Sequence, residues 1–182
     1  ELLEEAITEK TKVVIIPFPN NPTGAIMNRE ELQKIVDVLK DRDVIIISDE
    51  IYAELSYDED HVSIASFPEV KEKTIVINGF SKAYAMTGWR LGYVCAHKVL
   101  IDAMKKIHQY AIMCSPTTAQ YAAIEALKNG DESVFEMARE YNRRRRVLVD
   151  GFRSMGLDCF EPLGALYVFP CIKSTGMSSD EF

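Results

Sequence analysis

Val44-Ile45-Ile46-Ile47-Ser48-Asp49 runs from four β-branched residues straight into a hydroxyl and a carboxylate. Four such residues in a row leave no polar face, so the run reads as a strand buried on both sides with a polar residue delivered at its end. Two further runs, Val13-Val14-Ile15-Ile16 and Thr74-Ile75-Val76-Ile77, have the same character. Between the first two, Leu32, Ile35, Val36 and Leu39 fall at i, i+3, i+4 and i+7, one face of a helix. Asn28 is its candidate N-cap, with Glu31 three residues on in the capping-box position. Strands alternating with amphipathic stretches predict an α/β fold with a mostly parallel sheet. Leu91-Gly92-Tyr93-Val94-Cys95 is a fourth candidate strand, and helical spacing predicts helices over 99–112 and 117–128. Asn129-Gly130 breaks the pattern, a long charged helix covers 131–155, and Gly156 is its stop. Cys159-Phe160 and Leu166-Tyr167-Val168-Phe169 then read as strands opening a second, smaller domain.

Composition narrows the function classes. The chain has 182 residues, 47% of them hydrophobic, enough for a substantial core. A net charge of −7 argues against a nucleic-acid partner. The run Arg143-Arg144-Arg145-Arg146 would point around most of a helix and forms no single basic stripe, so it reads as solvated or ion-paired. Cys95, Cys114, Cys159 and Cys171 show neither CxxC nor metal-ligand spacing. The apolar context of Cys95 and Cys114 predicts buried thiols, and four free cysteines suit a reducing cytoplasm. His61, His97 and His108 are too scattered to suggest a metal site. No signal peptide is visible, and every apolar run is far shorter than a membrane span. Glu1 in place of an initiator methionine, and the unfinished helix start at Ser178-Ser179-Asp180-Glu181-Phe182, read as an excised piece of a longer chain.

Three motifs carry chemistry. In Ser81-Lys82-Ala83-Tyr84-Ala85-Met86-Thr87-Gly88-Trp89-Arg90 a lysine stands beside a hydroxyl and, eight residues on, an arginine. That set suits an amine forming a Schiff base on a molecule whose phosphate is held nearby. Upstream lie Asn21-Pro22-Thr23-Gly24 and Ser48-Asp49-Glu50-Ile51-Tyr52. Each has a plainer reading on its own: a surface lysine, a turn built by Asn-Pro, a carboxylate capping a turn, an amphipathic tyrosine.

In this order the three motifs resemble the class I/II aminotransferases of pyridoxal-phosphate fold type I, most nearly the aspartate, aromatic and N-acetyl-diaminopimelate enzymes. The resemblance runs from Thr11 to Pro170. It implies a three-layer α/β/α large-domain portion over 1–130, a linking helix over 131–155 and the truncated start of a small α+β domain over 156–182. It also implies the cofactor pyridoxal 5'-phosphate. Lys82 would form the internal aldimine and act as general base, and Asp49 would hold the pyridine nitrogen protonated. Tyr52 and Asn21 would meet the ring hydroxyl oxygen, while Arg90 and Ser81 would hold the phosphate. Many relatives carry a serine three residues before the lysine; here Gly79 stands there, so one phosphate contact is missing or replaced. A cis bond is implied at Asn21-Pro22. Tyr84, Trp89 and Tyr93 are expected to serve packing, and Glu50 and Ile51 packing or support of the site. The five residues Asn21, Asp49, Tyr52, Lys82 and Arg90 should converge on one pocket.

The activity implied is ping-pong transfer of an amino group from an amino acid to a 2-oxo acid, by a cytoplasmic homodimer. A β-lyase of the cystathionine type and the cofactor-sensing domain of a transcription regulator are the alternatives. The family's glycine-rich phosphate turn, the aromatic stacking on the pyridine and the arginine for the substrate α-carboxylate fall outside this sequence. The piece alone is therefore expected to fold without turning over substrate.

Overall fold

The computed structural model describes residues 1–182. After a short helix α1 (Leu2–Ala6), strands β1 (Val13–Pro17), β2 (Ile45–Asp49) and β3 (Thr74–Gly79) pair in parallel in that order. Strand β4 (Gly92–Cys95) closes the sheet antiparallel to β3. The register sets Pro17 and Ile77 on either side of Asp49, so the loops leaving three strands meet at one sheet edge. That carboxyl edge is where open α/β sheets place their ligands.

Helix α2 (Arg29–Leu39) covers one face of the sheet, and its start follows the expected chemistry. Asn28 accepts from the Glu31 N–H, and Glu31 reaches back to the Asn28 N–H, a complete capping box. Leu32, Val36 and Leu39 pack with Ile16, Val44 and Ile46 of the sheet side and with Ile64, Phe67 and Val70. The last of these lies in α3 (Pro68–Lys71). The C-terminus of α2 carries no glycine. Instead Lys73 Nζ donates to the carbonyls of Leu39, Lys40 and Arg42 at 2.7, 2.9 and 2.7 Å, satisfying acceptors that the helix end leaves open.

The strands were expected to be buried on both faces; β1 is not, whereas β2 has no exposed residue and β3 opens on buried Thr74 and Ile75. Ile15 is 63% exposed while its neighbour Ile16 is 6% exposed, so β1 alternates. The physical reason is that α2, α3 and the 64–66 turn all pack on one side. Helix α4 (Lys98–Ala111) buries none of its residues, and α5 (Thr117–Asn129) buries only Ala119 and Ala123. For the same reason Cys95 and Cys114 are exposed rather than buried; Cys159 is the buried thiol.

Gly130 ends α5 and opens the 24-residue α6 (Asp131–Ser154) with φ −93°, so it does not serve as a left-handed stop. A side chain there would stand 2.4 Å from the Ala126 carbonyl and 3.0 Å from the Tyr84 ring, and close packing is what requires the glycine. Gly156 does stop α6 in the left-handed region, φ +80°. Of the arginine run, Arg143 and Arg144 pair with Glu140 at the surface. Arg145 is buried, donating to Glu161, Asp58, Asn142 and the Pro162 carbonyl. It pins the helix to the segment beyond it.

Beyond α6, β5 (Asp158–Cys159) pairs antiparallel with β6 (Pro170–Cys171). The strand expected at Leu166–Phe169 is absent, because the chain is tied elsewhere. Gly164 N–H donates to the Gly24 carbonyl and Ala165 N–H to that of Leu55, both at 2.9 Å, and Ala165 takes φ +57°. No helix is long and apolar enough to cross a membrane.

Candidate functional site

Asp49 is the last residue of β2, and one of its carboxylate oxygens accepts from the Ile51 N–H at 3.3 Å. The next turn, closed by Ala53 N–H on the Glu50 carbonyl at 2.9 Å, places Tyr52 just past the sheet edge with 5% of its surface exposed. The Tyr52 hydroxyl lies 2.6 Å from the Tyr167 hydroxyl, whose ring stands edge-on at 5.7 Å. Asn21 Nδ2 donates to the same Tyr167 oxygen at 3.1 Å. Lys82 Nζ sits 5.7 Å from the centre of the Tyr52 ring, within cation–π range. Burial foremost pushes the Tyr52 phenol well above its ordinary value. Asp49 adds to that shift, while the Asn21 amide acts against it.

The Asn21 turn is held by its own backbone. Asn20 N–H donates to the Ala25 carbonyl and Gly24 N–H to that of Asn20, both at 2.8 Å. Gly24 adopts φ +72°, and a β-carbon there would meet Pro162 Cβ at 2.3 Å. The Asn21-Pro22 bond is cis, as is Phe18-Pro19.

The lysine loop is arranged differently. Ala85 N–H donates to the Lys82 carbonyl at 3.1 Å and Met86 N–H to that of Phe80 at 3.2 Å, so the loop folds back on the end of β3. Thr87 Oγ1 donates to the Ser81 carbonyl and Arg90 Nη1 to the Thr87 carbonyl, both at 2.9 Å. Arg90 is thereby tethered beside Ser81, but no hydrogen bond or ion pair joins it to Lys82 or Asp49. It lines a shallow concavity of about 490 Å³ with Trp89, Pro116 and Thr118. Four of its five N–H donors remain for a ligand. Asn21, Tyr52 and Lys82 thus come together with Asp49 beside them, whereas Arg90 stands exposed and Ser81 half-buried on the lysine loop, with no hydrogen bond from either to that group.

At Gly79 the structure shows why no side chain is present. A β-carbon there would lie 2.9 Å from Gly92 Cα and 3.0 Å from the Leu91 carbonyl of the adjoining strand. A serine would have to displace β4. Tyr84 and Tyr93 flank Phe80, with ring centres 5.5 and 5.9 Å away, and serve packing as expected; Trp89 is 48% exposed.

Under the Asp49–Tyr52 turn lies a buried carboxylate. Glu50 accepts from Ser63 Oγ at 2.6 Å and Ser48 Oγ at 2.8 Å, with His61 Nε2 at 3.0 Å. Burial raises its pKa, but the hydrogen bonds, that of His61 foremost, outweigh it and hold the carboxyl below its ordinary value. The sequence showed Glu50 only as a residue between two others, and offered His61 no partner. Tyr167 was missed altogether as a site residue. Pro162-Leu163-Gly164 was a legible turn signal against a continuous strand, yet nothing local aims a tyrosine at a phenol 115 positions away.

The donor set is chemically suited to pyridoxal phosphate. An amine can take its aldehyde, a carboxylate its pyridine nitrogen, phenol and amide protons its ring oxygen, and a guanidinium its phosphate.

The family model described as aminotransferase class I and II matches residues 1–182. The Bacillus subtilis protein YugH, named as an aminotransferase, is 56% identical over 98% of this chain and 46% of its own length. The aspartate aminotransferase of Pyrococcus abyssi is 46% identical over 99% of this chain and 47% of its own. The crystal structure of the aromatic aminotransferase from Pyrococcus horikoshii superposes with a TM-score of 0.94 at 45% identity, covering 99% of this chain and 49% of that one. The chain therefore spans about half the length of the relatives it matches.

Proposed function

The chain belongs to the class I and II aminotransferases, and from that premise we propose that the protein moves an amino group between an amino acid and a 2-oxo acid in a ping-pong cycle, with pyridoxal 5'-phosphate bound at the carboxyl edge of the sheet. When bound, the cofactor supplies an electron sink for the pair left behind as the substrate Cα–H bond breaks. Lys82 holds the cofactor through its amine and, once released by the substrate amine, accepts the Cα proton on Nζ and hands it on. Asp49 keeps a positive charge on the ring nitrogen. Tyr52 and Asn21 orient the ring through its hydroxyl oxygen, and Arg90 with Ser81 anchors the phosphate from the rim. The observation that carries this reading is Lys82 Nζ over the Tyr52 ring, 5.7 Å from its centre, beside the end of the strand that delivers Asp49.

We further propose a cytoplasmic homodimer. Exposed Ile107, Tyr110, Ile112 and Met113 along and just past α4 support a covered face, and free cysteines support a reducing compartment. The test is amino transfer from glutamate to a panel of 2-oxo acids by the intact protein. Oxo-acid-dependent turnover supports the proposal. Release of pyruvate and ammonia from a sulfur amino acid, without dependence on oxo acid, would turn it toward the β-lyases.

A further inference from the structure

Tyr167 is the side chain at the site to which the proposed chemistry assigns nothing, and its placement is heavily built. The strap before it is tied at both flanks. Gly164 donates to the Gly24 carbonyl in the Asn21 turn, and Ala165 donates to Leu55 just past Tyr52, both at 2.9 Å. Tyr57 N–H donates to the Leu163 carbonyl at 3.0 Å, and the Tyr57 hydroxyl to that of Ala165. A β-carbon at Gly164 would meet Pro19 Cβ at 2.7 Å and Ile26 Cγ2 at 2.8 Å, so the strap is seated against the first loop with no room between them. Every one of these contacts fixes where the Tyr167 hydroxyl arrives.

The direction of one of its hydrogen bonds comes from proton counting, that of the other from polarisation. Asn21 Nδ2 can only donate, so the Tyr167 oxygen accepts from it at 3.1 Å. Tyr167 then has a single proton, and accepting from the amide polarises that O–H and makes it the better donor of the two phenols. Its partner at 2.6 Å is the Tyr52 oxygen. With that bond made, the one proton of Tyr52 is left over, on a buried phenol whose ring lies beneath the Lys82 amine.

We propose that Tyr167 is a positioning residue for the cofactor: its hydroxyl accepts from Asn21 Nδ2 and donates to Tyr52, so that Tyr52's own proton is held toward the ring oxygen of the bound cofactor. This rests on the pyridoxal-phosphate reading of the site, and it couples the segment after α6 to the ring of the cofactor through one hydroxyl.

The test compares equilibrium binding of pyridoxal phosphate with that of 3-deoxypyridoxal phosphate, which lacks only the ring oxygen, to the intact protein. Wild type should prefer the former. In Tyr167→Phe the affinity for pyridoxal phosphate should fall about five- to tenfold, the worth of one net hydrogen bond, while that for the deoxy analogue is unchanged. Equal weakening toward both probes would show a merely structural tyrosine and overturn the proposal, as would no change toward either. As a second readout, Tyr52→Phe should by itself lower the preference to what Asn21 supplies, and adding Tyr167→Phe should not lower it further. A further loss of preference in the double variant would mean that Tyr167 acts independently of Tyr52, again overturning it. Wild type that binds neither probe would overturn the cofactor reading itself, an outcome distinct from a Tyr167→Phe variant that keeps full preference.

Discussion

The two walls of the site are built on different principles. The wall of Asn21, Asp49, Tyr52 and Tyr167 is cross-linked between loops far apart in the sequence: three phenol and amide groups share hydrogen bonds, and beneath the turn Glu50 gathers Ser48, Ser63 and His61 in the interior. The side chains of the Ser81–Arg90 wall are hydrogen-bonded only within their own loop, by Thr87 bonds of three to six residues' separation. The first is arranged before any ligand comes, and its groups lose little further conformational entropy on binding. The second presents a charged fork on a solvent-facing loop that a phosphate can organise. Substitutions in the interior wall should therefore cost stability as well as function, and those on the rim should cost affinity alone.

Lys82→Ala, at the junction of the two walls, should have the largest effect. It should abolish both amino transfer and the visible absorbance of bound cofactor, read by spectrophotometry of the purified protein with pyridoxal phosphate. Asp49→Ala should come next, with kcat lowered on the order of 10²-fold or more, as removal of a preorganised electrostatic group does. Retained activity there would show that the carboxylate serves only the turn, where it accepts from Ile51.

Arg90→Gln sharpens the comparison. Affinity for pyridoxal phosphate should fall about ten- to a hundredfold, the worth of charge-assisted hydrogen bonds of roughly 1.5–3 kcal/mol. Its Tm without cofactor should stay near wild type, because the side chain is exposed and bonded only to its own loop. A large drop in Tm would erase the distinction between the walls.

Glu50→Gln should give the smallest change in activity but a measurable one in stability, about 1–3 kcal/mol by denaturant titration at neutral pH. The sign of its pH dependence comes from a carboxyl held below its ordinary 4.5 in the fold. The stabilisation is complete above that ordinary value and fades as pH falls through the lower folded-state value. The gap between wild type and Glu50→Gln should thus be widest at neutral pH and narrow below 4.5. A gap that widens in acid would contradict the assignment.

The interior wall was only partly legible in the sequence. Asp49 and Tyr52 were readable because a run of β-branched residues has to end at a sheet edge, and the residues next in the chain have to lie there. The α2 cap was readable because a capping box is wholly local, Asn28 to Glu31. Tyr167 was not, since its partners lie 115 and 146 positions away; nor was the Glu50 cluster, whose members lie within 13 positions but are gathered by loop packing that no sequence period records. The exposed face of β1 was misread for a related reason: apolar composition marks a face able to be covered, not the presence of a cover. Arg145 taught the same lesson in reverse, because a run of four arginines carries no sign of which one turns inward.

The chemistry of the whole site turns on which amine carries the cofactor. Borohydride reduction of the intact protein with pyridoxal phosphate, followed by peptide mass spectrometry, fixes the label covalently where the Schiff base formed. The prediction is a single modified lysine, Lys82, with Lys73 unmodified because its ammonium is engaged by three backbone carbonyls. Label on any other lysine, or none under conditions that label other pyridoxal-phosphate enzymes, would contradict it.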